Sequence, residues 1–274
     1  MRSVVQHEFG PPEVLKIEEL PAPEPIPTEV QVRVHAAGVN PVDFKTRAGR
    51  GSRMLGEPPF TVGWDVSGVV TEVGGGVTRF EVGDEVFGMP WFPREAAAYS
   101  EFVTAPSRHF AGKPGVFSHE EAGALPLAGL TAWQIVVDTI KLQAGRLSEL
   151  GAGRVIDYRD EDFEQLVSDL DAVIDFTGAY GERSLRVLRP GGMLVSVPSG
   201  AARDLVEKGK GSGRRVTGFL VEPDPVGLAG LTHLIEDGRL QVDVDRVFDL
   251  EDAAEAHRAA EEHHGGGKIV LRVA

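Results

Sequence analysis

Asp138-Thr139-Ile140-Lys141-Leu142-Gln143-Ala144-Gly145-Arg146-Leu147-Ser148-Glu149-Leu150-Gly151-Ala152-Gly153 is the stretch on which the fold turns. Upstream of it, Leu130, Trp133, Val137 and Ile140 recur at helical spacing with Val136 flanking them, and Gly145 stops the helix. Downstream, apolar runs at 154–158, 171–176, 193–197 and 215–221 read as strands, with helical segments at 162–170 and 181–188 between them. That β-α-β rhythm implies a parallel sheet with helical crossovers. The stretch itself lacks any strand, glycine-rich turn and helix in succession. No G-x-G-x-x-G occurs in the chain, and Gly151-Ala152-Gly153 has neither the strand before it nor the helix after it that a phosphate site needs.

Working outward, the first third has a different texture. Val4-Val5 opens it, and Gly10-Pro11-Pro12 turns the chain. Pro21, Pro23, Pro25 and Pro27 enforce an extended segment. Val30, Val32 and Val34 then alternate with Gln31, Arg33 and His35, a half-buried strand. Further short strands are expected at 64–73, 82–88 and 97–103, separated by glycine turns, which suggests a β-barrel-like domain. Ser118 with Glu121 fits a capping box that opens a helix, and Pro126 breaks it. Towards the end of the chain, 225–236 and 250–263 read as helices and 268–271 as a last strand.

Bulk properties set limits. The 274 residues carry a formal net charge of −14 and are 42% hydrophobic, with an isoelectric point near 5.0. An acidic surface repels phosphate backbones, so nucleic acid and anionic membranes are not expected partners. The absence of cysteine excludes disulfides and thiolate metal sites. His7 and Glu8 fall too early for a signal h-region, and no run of 18 apolar residues occurs, so a cytoplasmic protein is expected. His263-His264 before a triglycine has no third metal ligand nearby and reads as a helix end. The basic run from Lys208 to Arg215 reads as a solvated loop without Walker spacing.

Five motifs occur in order: Gly38-Val39-Asn40-Pro41-Val42-Asp43-Phe44-Lys45, Gly63-Trp64-Asp65-Val66-Ser67-Gly68, Val82-Gly83-Asp84-Glu85-Val86, Leu125-Pro126-Leu127-Ala128-Gly129-Leu130-Thr131-Ala132-Trp133 and Gly267-Lys268-Ile269-Val270-Leu271. Together they resemble the zinc-free quinone oxidoreductase branch of the medium-chain dehydrogenase/reductase superfamily. The resemblance covers nearly the whole chain. It implies a GroES-like barrel domain, a Rossmann domain, and a C-terminal tail returning to the barrel. The expected domains are 1–118 with 241–274 for the barrel and 119–240 for the Rossmann-like part. Zinc-dependent relatives carry Cys where Asn40 stands and Gly-His-Glu at Gly63-Trp64-Asp65. Neither Asn nor Trp supplies such a ligand, so no zinc is expected.

In that family a β-α-β unit with the glycine-rich loop follows the helix at 131–140. Here the sequence passes directly to what resembles the end of the next helix. Losing the two central strands of a 3-2-1-4-5-6 sheet leaves four, in order 3-4-5-6, if the strand at 155–158 pairs with 173–176. The expected fold is therefore α/β plus β, a GroES-like barrel with a truncated Rossmann-like parallel sheet. A homodimer through the strand at 215–221 is also implied by the resemblance.

The candidate catalytic residues are Asn40, Asp43, Lys45 and Asp65. The first three are placed on the loop after the strand at 30–34. Asn40 could hydrogen-bond a carbonyl or a ribose. Asp43 with Lys45 reads as an acid/base pair or as a surface ion pair. Asp65 beside Trp64 gains a raised pKa if the aromatic wall buries it, or stays ionised if it accepts backbone N–H bonds. Trp64, Trp91, Phe92 and Tyr99 could line a pocket for a flat substrate, with Trp91 and Phe92 alternatively core or lid. The resemblance implies that Thr131, Thr177, Gly178, Ser196 and Phe219 lie near a nicotinamide, should a nucleotide bind; Thr131 is also assigned to the substrate pocket.

Three functions compete on these residues. The favoured expectation is cofactor-free acid/base chemistry on a polarised conjugated carbonyl compound, a cyclisation, isomerisation or addition/elimination, because the pyrophosphate grip is missing. The alternative is an NADPH-dependent reductase of quinones or enones. The third is a non-catalytic binding module.

Overall fold

The computed structural model describes residues 1–50, 55–141, 156, 160–197, 203–262 and 266–274. The chain divides into two compact units, Met1–Leu130 with Val221–Ala274, and Thr131–Leu220.

The first unit is built on one long strand. After the β1–β2 hairpin (Arg2–Val5, Lys16–Glu19), β3 runs from Glu29 to Val39. Its partners are β4 (Val66–Val73), β6 (Phe102–Pro106) and the C-terminal β12 (Lys268–Arg272). The amino-terminal half of β3 pairs with β6 and the carboxyl-terminal half with β12, while β4 lies along the other side. β5 (Glu85–Gly88), β7 (Phe110–Gly112) and β11 (Val244–Asp249) complete a seven-stranded sheet. Val30, Val32 and Val34 are fully buried, as their alternation requires, and pack with Val66, Val70 and Phe110 in the main core. Expected strands shift at their ends. The run at 64–73 begins its ladder only at Val66, and 97–103 only at Phe102: Ala97 lies at a φ of 54°, and Tyr99, Ser100 and Glu101 pair with Val4, Ser3 and Arg2 of β1.

Three helices of this unit matter for the site. α1 (Pro41–Arg47) follows β3 directly, where a loop was expected. α2 (His119–Gly123) starts at the capping box that Ser118 and Glu121 form. α8 (Ala253–Glu262) turns Ala256 and His257 inward. α7 (Pro225–Glu236) buries Leu228, Leu231 and Ile235 and packs on β7. That packing places the return to the first unit at Val221 rather than at residue 241.

The second unit holds a three-stranded parallel sheet in the order β10-β9-β8 (Arg215–Gly218, Leu188–Ser196, Leu170–Asp175). α5 (Gly181–Val187) and α6 (Arg203–Gly211) connect the strands. Both faces of β9 are covered, as befits a parallel sheet. Leu194 packs with Leu185, Leu205 and Val216, whereas Met193 and Val195 pack with Ile135 and Phe219. The three strands correspond to the last three of the four expected. The first, at 155–158, lies outside the described residues except for Ile156, and so does its pairing. His263 and His264 also lie outside them.

Two local readings are corrected. α3 (Pro126–Trp133) passes into a π-helical turn at Gln134–Thr139, closed by Ile140 N–H donating to the carbonyl of Ile135 at 2.8 Å. The wider turn rotates the apolar face, so Gln134 and Ile135 are buried where Val137 was expected. The basic run from Lys208 begins inside α6, and Lys208 pairs with Glu182. Among the described residues no helix is long and apolar enough to cross a membrane.

Candidate active site

Asn40 is the N-cap of α1, with Pro41 at the first helical position. Its backbone N–H donates to Asp43 Oδ2 at 2.6 Å, which closes a capping box. Its side-chain amide donates through Nδ2 to Asp65 Oδ2 at 2.8 Å, so Oδ1 faces the other way and accepts from Lys268 Nζ at 2.5 Å. The sheet register explains that meeting: Ile269 stands opposite Val39, which sets Lys268 beside Asn40 although 228 residues separate them in sequence. Asp65 also accepts the backbone N–H of Leu127 through Oδ1 at 2.7 Å, and Lys268 Nζ lies 3.9 Å from Asp65 Oδ2. Gly38 leaves room for this arrangement. A Cβ there would stand 2.9 Å from Asp65 Oδ2 and 2.6 Å from the carbonyl oxygen of Gly123.

A second limb leads away from Asp43. Tyr99 O–H donates to Asp43 Oδ2 at 3.2 Å, and His257 Nε2 lies 3.1 Å from the same hydroxyl. Because the hydroxyl proton points to Asp43, the His257 Nε2–H donates to Tyr99 and Nδ1 accepts from Arg47, 3.3 Å away. Arg47 in turn makes two hydrogen bonds to Glu261, at 3.0 and 3.1 Å. Tyr99 is seated by Gly63 (φ 98°), where a Cβ would come within 2.4 Å of the tyrosine ring.

Burial sets the electrostatics. Asp43, Asp65, Tyr99 and His257 are each 0% exposed. Burial drives the Asp43 carboxyl up to about 7, with a further push from Asp65, against the Asn40 N–H, Lys268 and the Tyr99 hydroxyl. Its Oδ1 has no hydrogen-bond partner. Burial also raises Asp65, opposed by Lys268, Asn40 and the Leu127 N–H. Tyr99 is pushed well above its usual value by burial and by Asp43. His257 is driven down to about 3 by burial and by the Arg47 charge, so it is neutral.

The other expected site residues distribute differently. Lys45 is exposed while Asp43 is buried, and positions two apart on a helix do not face each other, so they form no pair. Trp64 is fully buried and donates Nε1–H to the Arg94 carbonyl at 2.6 Å. Phe92 stacks on it edge-to-face at 5.4 Å. With Tyr99 they are core side chains and offer a substrate no wall. Trp91 is half-buried and anchored by its Nε1–H to the Thr104 carbonyl at 2.8 Å. Thr131 is buried within α3. The sequence assigns no site role to Lys268, His257, Arg47 or Glu261. Lys268 stands in a quoted motif, but its role as partner to Asn40 follows only from the β3–β12 register.

In the second unit, Thr177, Gly178, Ser196 and Phe219 gather at the carboxyl edge of the sheet. Asp175, Ser196 and Gly218 stand in one row across β8, β9 and β10, and Phe219 N–H donates to the Ser196 carbonyl at 3.0 Å. Asp175 organises the turn beyond β8. It accepts the Thr177 and Gly178 N–H groups and the Thr177 hydroxyl, each at 2.8 Å. Burial works to raise its carboxyl, and these bonds outweigh it and hold the group below its usual value. Phe176 and Leu220, 58% and 53% exposed, flank the edge with apolar surface. Ligands of parallel α/β sheets bind at this edge.

Comparison with known proteins identifies the lineage. The family described as "Alcohol dehydrogenase GroES-like domain" matches residues 26–138, and that described as "Zinc-binding dehydrogenase" matches residues 150–271. The quinone oxidoreductase of Coxiella burnetii is 32% identical, with a TM-score of 0.91, covering 100% of this chain and 99% of that one. The quinone oxidoreductase of Escherichia coli, whose structure is a complex with NADPH, is 25% identical with a TM-score of 0.84, and each chain is covered to 100%. The NADPH-dependent alkenal/one oxidoreductase of Arabidopsis thaliana, a chloroplastic protein, is 28% identical over 318 residues, covering 99% of this chain and 79% of the relative. The chain belongs to the medium-chain dehydrogenase/reductase superfamily, in its quinone oxidoreductase-like, zinc-free branch.

Two consequences follow. The residues do not fit zinc, despite that family description. Asn40 presents an amide, Asp65 already faces an ammonium, and no group of three potential ligands occurs among the described residues. The expectation of cofactor-free chemistry is overturned, because the relatives are NAD(P)H-dependent oxidoreductases and one is seen with NADPH bound. They are reductases, not cyclases or isomerases. The Arabidopsis alignment spans more positions than the 274 residues of this chain, so that relative holds stretches with nothing opposite them here.

Proposed function

We propose that the protein is an NADPH-dependent reductase of quinones or conjugated enones. The observation that carries this reading is the gathering of Thr177, Gly178, Ser196 and Phe219 at the carboxyl edge of the parallel sheet, the edge where such folds take their ligand. NADPH, when bound, supplies the hydride. The chain's own contribution in the second unit is the turn of Thr177 and Gly178 held by Asp175, with the exposed apolar side chains Phe176 and Leu220 beyond the ends of β8 and β10, a setting that suits a nicotinamide ring. The first unit holds a preorganised polar cluster around Asn40, Asp65 and Lys268. No glycine-rich fingerprint occurs in the sequence, so fewer backbone donors hold the pyrophosphate, and an affinity for NADPH in the micromolar range is expected.

The test is turnover. Purified protein is given NADPH with 1,4-naphthoquinone or with methyl vinyl ketone, and loss of NADPH absorbance is followed against product. The reading predicts enzyme-dependent, equimolar NADPH oxidation and formation of hydroquinone or saturated ketone. No turnover with either substrate, or conversion that proceeds equally without nucleotide, contradicts it.

A further inference from the structure

A chain with a net charge of −14 has carboxylates to spare for its cations. In the second unit one guanidinium goes without. A groove of about 410 Å³ opens there between α5 and the turn from α6 to β10, lined by Glu182, Leu185, Arg186, Lys208, Ser212 and Arg214. Lys208 pairs with Glu182, and Arg186 donates to Glu164 at 2.9 Å. Arg214 meets only backbone: Nε–H donates to the Leu188 carbonyl at 2.8 Å and Nη1–H to the Ser212 carbonyl at 3.0 Å. Both acceptors are neutral, so its charge is unanswered, and Nη2 has no acceptor among the described residues.

The backbone that carries Arg214 is held as well. Gly213 turns the chain at a φ of 68°, Arg214 N–H donates to the Gly209 carbonyl at 2.8 Å, and Gly191 N–H donates to the Gly213 carbonyl at 2.8 Å. The guanidinium is thus anchored on one side and lines the groove with the other, a fork whose free N–H groups match two oxygens of one oxyanion. Lys208 has two N–H groups beyond the one bonded to Glu182. The Ser212 hydroxyl gives its proton to the Lys208 and Gly209 carbonyls, both at 3.0 Å, and adds no donor. Leu185, 7% exposed, supplies an apolar floor. This groove is distinct from the edge assigned to the nicotinamide. Arg214 precedes β10 and bonds the first residue of β9, at the amino edge of the sheet, whereas Thr177, Gly178 and Phe219 follow the strands at the carboxyl edge.

We propose that the groove binds a phosphate monoester, with Arg214 gripping two phosphate oxygens, Lys208 bonding a third, and the apolar part of the ligand lying over Leu185. Such a group carries close to two negative charges at neutral pH and three acceptor oxygens. It answers an unpaired guanidinium backed by an ammonium better than a carboxylate does, with its single charge and two oxygens. The occupant leaves the carboxyl edge free, so the site stands whether or not the reductase reading does.

Phenyl phosphate and benzoate are titrated calorimetrically into the whole protein in phosphate-free buffer without nucleotide. The natural protein is expected to bind one phenyl phosphate per chain with a dissociation constant of about 1 mM or below, and benzoate about tenfold more weakly. Arg214→Gln weakens phenyl phosphate about tenfold or more. Arg215→Gln removes the same charge from the next position, outside the groove, and leaves binding unchanged. Glu182→Gln frees the Lys208 ammonium and tightens binding about threefold; its side chain is 58% exposed, so the fold is not at stake. No saturable binding of phenyl phosphate overturns the proposal, and so does benzoate binding of equal strength. Equal losses in Arg214→Gln and Arg215→Gln would reduce the site to a diffuse field and also overturn it, as would Glu182→Gln that leaves binding unchanged or weakens it. If Arg214→Gln does not fold, Glu182→Gln and Arg215→Gln decide.

Discussion

Asp43 and His257 lie on either side of one tyrosine hydroxyl and are displaced in opposite directions, up to about 7 and down to about 3. The raised carboxyl binds a proton in the folded state that the unfolded chain has lost, so it makes stability fall as pH rises from its usual value towards 7. The depressed histidine does the reverse: its stability is present above its unfolded pKa and is lost as pH falls towards 3. Between those limits the two slopes oppose each other, each of about 1.4 kcal/mol per pH unit. Asp43→Asn removes one of them and keeps an acceptor for Tyr99 and Asn40. Urea unfolding at about pH 5 and about pH 6 should show the variant gaining about 1.4 kcal/mol relative to the natural protein over that interval. Parallel curves would mean that Asp43 titrates normally. Asp65→Ala is harsher, since it strips acceptors from Asn40, Leu127 and Lys268. A loss of about 3 kcal/mol is expected, and less than about 1 kcal/mol would show the cluster to be loosely held.

At the scale of elements, glycine positions report how tightly the site is built. Gly63→Ala combines a φ of 98° with a contact of 2.4 Å to Tyr99, whereas Gly75 has open space around it. Calorimetry should find Gly63→Ala destabilised by about 2–3 kcal/mol and Gly75→Ala within about 0.5 kcal/mol of the natural protein. Equal effects would contradict the packing described for Tyr99. The elements themselves were legible where the local pattern was strong. Val30, Val32 and Val34 marked β3, and Ser118 with Glu121 marked the start of α2. The sequence Asn40-Pro41-Val42-Asp43 carried a helix start as well, with a cap, a proline at the first position and an acidic third residue, and it was read as loop. The π turn at Gln134–Thr139 left no trace in the spacing of apolar residues. The site was legible in part. Asn40, Asp43 and Asp65 do come together, but Lys268 and His257 join them from more than 150 residues away through sheet register and helix packing, which one sequence does not reveal.

At the scale of the whole molecule, β10 is an edge of the three-stranded sheet among the described residues, and a sheet edge is a place where a second copy can pair. We propose a homodimer paired along it. Sedimentation should give twice the chain mass of 29.4 kDa, and a monomer at that mass would remove the pairing. The larger claim is that a chain without a glycine-rich fingerprint is still a nicotinamide-dependent reductase. Titration of NADPH fluorescence with the purified protein tests it most directly. The account predicts saturable binding of one NADPH per chain in the micromolar range, displaced by NADP⁺. Fluorescence that does not saturate even at millimolar protein, or binding that NADP⁺ leaves untouched, would contradict it.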